Sequence, residues 1–170
     1  MPIRPAASAY LQRFTSGSTS GIPQTNGTVM VWGVRRTQQA QAACWLLIRG
    51  EGTTGQYQGL YTNASDATIG TGGTWDNAPT IASLVTGEIA CAALTWNGTA
   101  AASFVSPSPN VFPSGRSFTI AAAPQFNMIR LGGDGYGAFL NGDLLCAMAW
   151  DRWVSQAEML AQRHSRTPID

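Results

Sequence analysis

NMIRLGGDGYGAFLNGDLLCAMAWDRWVSQAEMLAQR, residues 127–163, is the stretch whose reading decides the fold. It opens on a short apolar strand, Met128, Ile129 and Leu131, that runs into a glycine-rich turn from Gly132 to Gly137. Asn141-Gly142 predicts a tight turn, because both residues tolerate positive φ at low cost. Leu144 to Trp150 reads as a second apolar strand. Strict alternation puts Leu144, Cys146, Met148 and Trp150 on one face and Leu145, Ala147 and Ala149 on the other. That alanine-rich face is small and apolar, with room for something to lie close against it. The period then changes. Ser155 and Glu158 have the S-x-x-E spacing of a capping box and predict a short helix over Gln156 to Gln162.

Working outward, the same punctuation recurs along the chain. Residues 1–27 are polar and small, and only Ala9 to Phe14 has the apolar character of a first edge strand. They are expected to form an N-terminal arm. Thr28 to Val34 is rich in β-branched and aromatic residues and predicts a central strand. Ala43 to Ile48 is apolar on both faces, which suits a strand covered on both sides. Tyr57–Thr62 and Ala67–Ile69 read as a hairpin, followed by a long loop from Gly70 to Thr80. Glu88–Trp96 and Thr99–Val105 flank the Asn97-Gly98 turn, and the proline-rich run Ser106–Gly115 is expected to be loop. Ser117–Ala122 and Phe126–Leu131 complete the set. About ten or eleven short strands and one short helix predict an all-β, two-sheet antiparallel sandwich or jelly roll. The expected layout is a single domain, with the sandwich over 28–163 and a tail over 164–170.

Composition agrees. A chain of 170 residues suffices for one substantial core. Charged residues make up only 11%, while 19 glycines and 9 prolines are dispersed throughout, which favours many short strands over a helical bundle. The net charge of +1 leaves no electrostatic footprint for nucleic acid or an anionic membrane. No segment has the roughly 18 apolar residues needed to cross a bilayer. The N-terminus lacks the apolar core of a signal peptide, so synthesis in a cytoplasm is expected. Cys44, Cys91 and Cys146 each lie in an apolar run and read as reduced, buried thiols, with a disulfide formed in an oxidising environment as the alternative. No C-x-x-C spacing exists, which argues against zinc.

At this point the chain resembles a known family, the concanavalin A-like jelly roll of the laminin-G-like type. The resemblance rests on Thr28, Val29 and Trp32 in an early strand and on Thr95-Trp96-Asn97-Gly98 at a hairpin. It rests further on the Leu131-Gly132-Gly133 run and on the closing segment from Phe139 to Glu158. It covers the chain from about Tyr10 to Arg163, and it implies the sandwich fold. It does not imply one function, since this architecture hosts lectins, hydrolases and structural modules alike.

Catalysis finds little support in the residues. Glycosidic cleavage needs two carboxylates flanking the sugar bond, about 5–9 Å apart. Glu51, Glu88 and Glu158 have no acidic residue two or four positions away, and Glu158 is accounted for by the capping box. The lone histidine, His164, lies in the tail, and Gly17-Ser18-Thr19-Ser20-Gly21 carries threonine where a nucleophile elbow needs serine. Gly132–Gly137 opens no helix and does not match a phosphate loop. The chain is therefore expected not to be an enzyme.

Binding is better supported. Trp75, Asp76 and Asn77 are the candidate glycan-binding residues, because a pyranose stacks on an exposed aromatic face and its hydroxyls need planar donors and acceptors nearby. The competing reading is a tryptophan folded back as a loop plug. Some lectins that this chain resembles hold a rim calcium ion, for which Asp66, Asp76 and Asp134 are the available loop acids; single acids in loops are more often solvated turn formers, and no cofactor is expected. Asn26, Asn63 and Asn97 begin N-glycosylation patterns and read as turn chemistry. Small free-standing chains of this kind resemble bacteriophage accessory proteins, such as head decoration or tail-associated proteins. The leading expectation is accordingly a structural or attachment module on a virion surface, docked through its arm and tail and homo-oligomeric. A glycan-binding module is the alternative, and a glycosidase the third.

Overall fold

Strand-forming runs pair into two antiparallel sheets in the computed structural model, which describes residues 11–14, 25–37, 43–49, 57–63, 66–71, 80–106, 114–119, 128–133 and 140–162. In chain order the strands are β1 (Leu11–Phe14), β2 (Asn26–Arg35), β3 (Ala43–Arg49), β4 (Tyr57–Asn63), β5 (Asp66–Thr71) and β6 (Thr80–Ser83). Next come β7 (Ile89–Asn97), β8 (Ala100–Ser106), β9 (Ser114–Thr119), β10 (Met128–Leu131), β11 (Gly142–Trp150) and the helix α1 (Gln156–Gln162). One sheet runs β1-β10-β3-β4-β5-β6 and the other β11-β2-β7-β8-β9. The fold is the expected antiparallel jelly-roll sandwich with one short helix.

The main core lies between the sheets. Alternation along β2 and β7 sends Val29, Val31, Ala92, Leu94 and Trp96 inward, where they meet Trp45, Leu140 and Leu144. Ile129 and Leu131 of β10 pack on the same cluster. Gly33 belongs to this layer because the Trp45 ring takes the space of its side chain: a Cβ there would lie 2.8 Å from the ring. The five-stranded sheet is buried on its other face too. Met30, Trp32, Cys91 and Ala93 form a second cluster with Val154 and Met159, so α1 and the segment before it close that outer face.

Several expectations change in three dimensions. β5 runs on to Thr71, into the start of the expected Gly70–Thr80 loop, and β6 begins at that loop's last residue: Thr80–Ser83 pairs with β5 across a register shift, and four residues are too few for periodicity to register. β9 starts at Ser114, three residues before the expected Ser117. The strands β10 and β11, adjacent in the closing signature, belong to different sheets. Gly142 is no positive-φ turn residue but the first residue of β11, opposite Arg35; a Cβ there would meet the Val34 carbonyl oxygen, so close backbone approach explains the glycine. Positive φ occurs instead at Gly87, Gly98 and Gly132, with Gly98 at +57° in the β7–β8 hairpin.

Strict alternation also fails in β11. The register shifts between Leu144 and Cys146, so that Leu144 lies opposite Gly33 and Cys146 opposite Trp32. Leu145 is the extra residue of a β-bulge, and the bulge reverses the facing of the rest of the strand. Leu144 enters the inter-sheet core, whereas Leu145, Cys146, Met148 and Trp150 pack on the second cluster. Ala147 and Ala149 thus share the face of Val31 and Val29, yet they are exposed on this edge strand.

Candidate functional site

The two broad outer faces of the sandwich differ. That of the five-stranded sheet is filled by Val154 and Met159 packing over Met30 and Trp32. The other outer face can be read from β10, whose Ile129 and Leu131 enter the core. Arg130, half-buried, therefore sits on the outer side. Register carries that face across five strands. Gln12, Arg130 and Leu47 align in β1, β10 and β3, and Leu47, Gly59 and Gly70 continue the row through β4 and β5. One row along, Arg49 stands directly opposite Tyr57 in β4 and opposite Met128 in β10. The face thus places two arginines, a tyrosine and a glutamine beside a pair of glycines.

This face is closed at one end. Cys44 lies opposite Tyr61, on the outer side, and is fully buried. The end that carries Arg49, Tyr57 and Gly59 is the opposite one, about 13 Å along β4 from Tyr61 at roughly 3.3 Å per residue. Trp75, Asp76 and Asn77, the candidates read from the sequence, lie outside the described residues. The described residues that bracket them are Thr71 and Thr80, and Thr71 lies opposite Gln58, beside Tyr57. Thr80 lies opposite Thr68, which is itself opposite Tyr61, so the two flanking residues stand at different ends of the face.

Charged side chains elsewhere are engaged in holding the scaffold. The guanidinium of Arg36 pairs with the Asp143 carboxylate, which is buried. Arg35, also buried, donates from Nη2 to the Leu84 carbonyl at 3.0 Å and to Thr86 Oγ1 at 3.3 Å. At the far end of β11, the Ser155 N–H donates to Glu158 Oε2 at 2.8 Å and the Glu158 N–H donates to Ser155 Oγ at 3.3 Å, which is the expected capping box. Arg152 adds a bond that the spacing does not announce, Nη1 to Glu158 Oε1 at 2.7 Å. The Ser155 backbone and hydroxyl, with Arg152, hold the Glu158 carboxyl well below its ordinary 4.5, at about 2.

The remaining candidates are dispersed. Glu88 is exposed in the turn before β7, and Glu51, Asp134, His164 and both tails lie outside the described residues. Asp66 begins β5 opposite Asn63, away from Asp143 and Glu158 in chain and sheet. Among the described residues, no three His, Cys, Asp or Glu gather as a metal site, and no helix is long and apolar enough to cross a membrane. None of the three cysteines forms a disulfide. Cys91 and Cys146 occupy one cross-strand row on either side of Trp32. Two strand spacings, about 9.5 Å, separate them, beyond the reach of a disulfide.

Sequence reasoning missed the Arg49–Tyr57–Arg130 cluster. Its signal is present, since alternation along Met128–Leu131 sets Arg130 apart from Ile129 and Leu131. What the sequence does not display is the register that brings β10, β3 and β4 side by side.

No protein-family profile matches the chain, and no curated protein does. Solved structures match the fold. A sialidase of Trypanosoma rangeli, in complex with 2,3-difluorosialic acid, superposes with a TM-score of 0.65 at 14% identity over 82% of this chain. The chain spans only 22% of that sialidase's length. The CBM40 module of the Ruminococcus gnavus IT-sialidase, bound to alpha2,3 sialyllactose, gives a TM-score of 0.57 at 17% identity, covering 89% of this chain and 97% of the module. A heptameric SAP-like pentraxin from Limulus polyphemus gives 0.58 at 10% identity, covering 92% of this chain and 82% of the pentraxin. At these identities the likeness is one of fold.

Proposed function

We propose that this chain is a non-catalytic carbohydrate-binding module whose ligand lies on the outer face of the six-stranded sheet and draws on Trp75, Asp76 and Asn77, the candidates read from the sequence. The observation that carries the reading is the pairing of Gly59 with Gly70 beside Tyr57. Glycine inside a strand weakens it, and it marks places where a ligand approaches the backbone closely. Two such glycines side by side make a floor without side chains. Tyr57, on the same face by register, is an aromatic residue with a polar tip, and Trp75 is the aromatic that the sequence offers, the combination that sugar stacking and hydroxyl recognition require. The matches to a sialidase in complex with 2,3-difluorosialic acid and to a sialyllactose-bound CBM40 module are in keeping with this reading.

Screening the purified chain on a glycan array, with Trp75→Ala and Tyr57→Ala alongside, tests it. Binding of at least one glycan, lost or cut by an order of magnitude or more in either variant, is expected, since truncating an aromatic anchor of a binding site commonly costs about 2 kcal/mol or more. An array with no binder contradicts the reading. Turnover of any bound oligosaccharide, abolished by Glu51→Gln or Glu88→Gln, would contradict its non-catalytic part. The virion-attachment expectation gains no observation from the fold; assembly unaffected by Trp75→Ala, on an array that stays blank, would restore it.

A further inference from the structure

We infer that Met148, on the side of the molecule away from the proposed glycan face, is a site of reversible oxidation, at which a peroxide converts the thioether to a sulfoxide and loosens the docking of α1. Met30, Met148 and Met159 all pack in the cluster on the outer face of the five-stranded sheet. They differ in reach. Met30 is 1% exposed and Met159 3%, whereas Met148, directly opposite Met30 on the edge strand β11, is only partly buried. Oxidation of sulfur follows access to it, so Met148 is the methionine of this layer that a dissolved peroxide reaches.

The same sulfur is a contact of α1. Gln162 Nε2 donates to Met148 Sδ at 3.6 Å. Gln162 is itself 1% exposed, and it and Met159 are the buried residues of α1 among those described. A helix of seven residues is too short to hold itself together in water, so its order depends on this docking and on its cap. Attack of the sulfur lone pair on a peroxide oxygen forms the S–O bond and breaks the O–O bond. Hydrogen peroxide leaves as water, reduced by the two electrons that the sulfur gives up. The product carries a polar oxygen into a cluster built of Met30, Trp32, Val154 and Met159. A polar group among apolar ones is costly to bury. The oxidised side chain therefore turns outward, and α1 loses its sheet contact at the C-terminal end.

Graded hydrogen peroxide, followed by dithiothreitol to return oxidised cysteines to thiols and by peptide mapping with mass spectrometry, tests this. Met148 should gain an oxygen before Met30 or Met159 gains any. The melting temperature should fall by about 3–6 °C. Amide hydrogen exchange should quicken across α1 while the β7–β8 hairpin stays as it was. A methionine sulfoxide reductase should restore both in the unaltered chain, without recourse to a variant. Met148→Leu, a swap that keeps volume, should melt close to the unaltered chain and lose the peroxide response. Oxidation of Met30 or Met159 in step with Met148 would overturn the inference, as would a Met148 sulfoxide whose α1 exchanges as before. Cys146, also partly buried on β11, is the competing sulfur. A fall in melting temperature that dithiothreitol alone reverses would assign the response to cysteine and overturn the inference too, and so would a response that survives in Met148→Leu.

Discussion

Thr28 does at the residue scale what a cap or a disulfide does elsewhere. Its buried hydroxyl donates to the Arg152 carbonyl at 2.9 Å and accepts from the Val154 N–H at 3.0 Å, tying the segment before α1 to the start of β2. Thr95 Oγ1 lies 2.8 Å away and bonds the Gly27 carbonyl at 3.2 Å. Thr28→Val keeps the shape but leaves the Val154 N–H and the Arg152 carbonyl without their partner, and should cost about 1–3 kcal/mol in urea unfolding. A loss indistinguishable from zero would contradict this role. Ser103 is the opposite case. It is fully buried opposite Leu94, and its hydroxyl has no hydrogen-bond partner among the described residues. Ser103→Ala should therefore leave stability unchanged or raise it by up to about 1 kcal/mol. A marked loss would show that the hydroxyl is bonded after all. Neither role is written in the sequence, where a threonine and a serine in strands look alike and only their long-range neighbours separate them.

At the scale of elements, legibility follows how local the determinant is. The capping box is readable because Ser155 and Glu158 interact within one turn, and α1 occupies the expected residues. The β7–β8 hairpin is readable for the same reason, from Asn97-Gly98. The bulge at Leu145 is not, because it exists only relative to β2, and without it the facing of Ala147 and Ala149 comes out inverted. β6 escapes because its pairing with β5, not its own composition, makes it a strand. The cap also makes a pH prediction. Glu158 has a folded pKa of about 2 against an ordinary 4.5, so its carboxylate favours the folded state above pH 4.5. That contribution is lost as pH falls toward 2. Ser155→Ala should cost on the order of 1 kcal/mol at neutral pH. The stability difference between the unaltered chain and Glu158→Gln, followed by circular dichroism melts, should be present at neutral pH and shrink between pH 4.5 and 2. A difference constant across that range would show that Glu158 is uncoupled from folding.

For the molecule as a whole, the asymmetry between the sheets separates scaffold from the proposed ligand face. The closing signature identifies the fold, and its second half builds the sealed side: β11 is the edge strand of the five-stranded sheet, and Val154 with Met159 of α1 covers that sheet's outer face. The candidate face belongs to the other sheet, and to residues scattered through the chain at Gln12, Arg49, Tyr57, Gly59, Gly70 and Arg130. No short motif joins them, which is why composition and spacing reveal the sandwich and only Trp75 and its neighbours as a site. Their assembly depends on strand order, and strand order is a property of the folded chain.

The most direct test monitors backbone amide resonances of isotope-labelled protein while a glycan selected on the array is added. Shifts should cluster at Arg49, Tyr57, Gly59, Gly70 and Arg130, and extend into the loop around Trp75. Shifts confined to the α1 side of the five-stranded sheet, or the absence of any shift, would contradict a glycan-binding face on the six-stranded sheet.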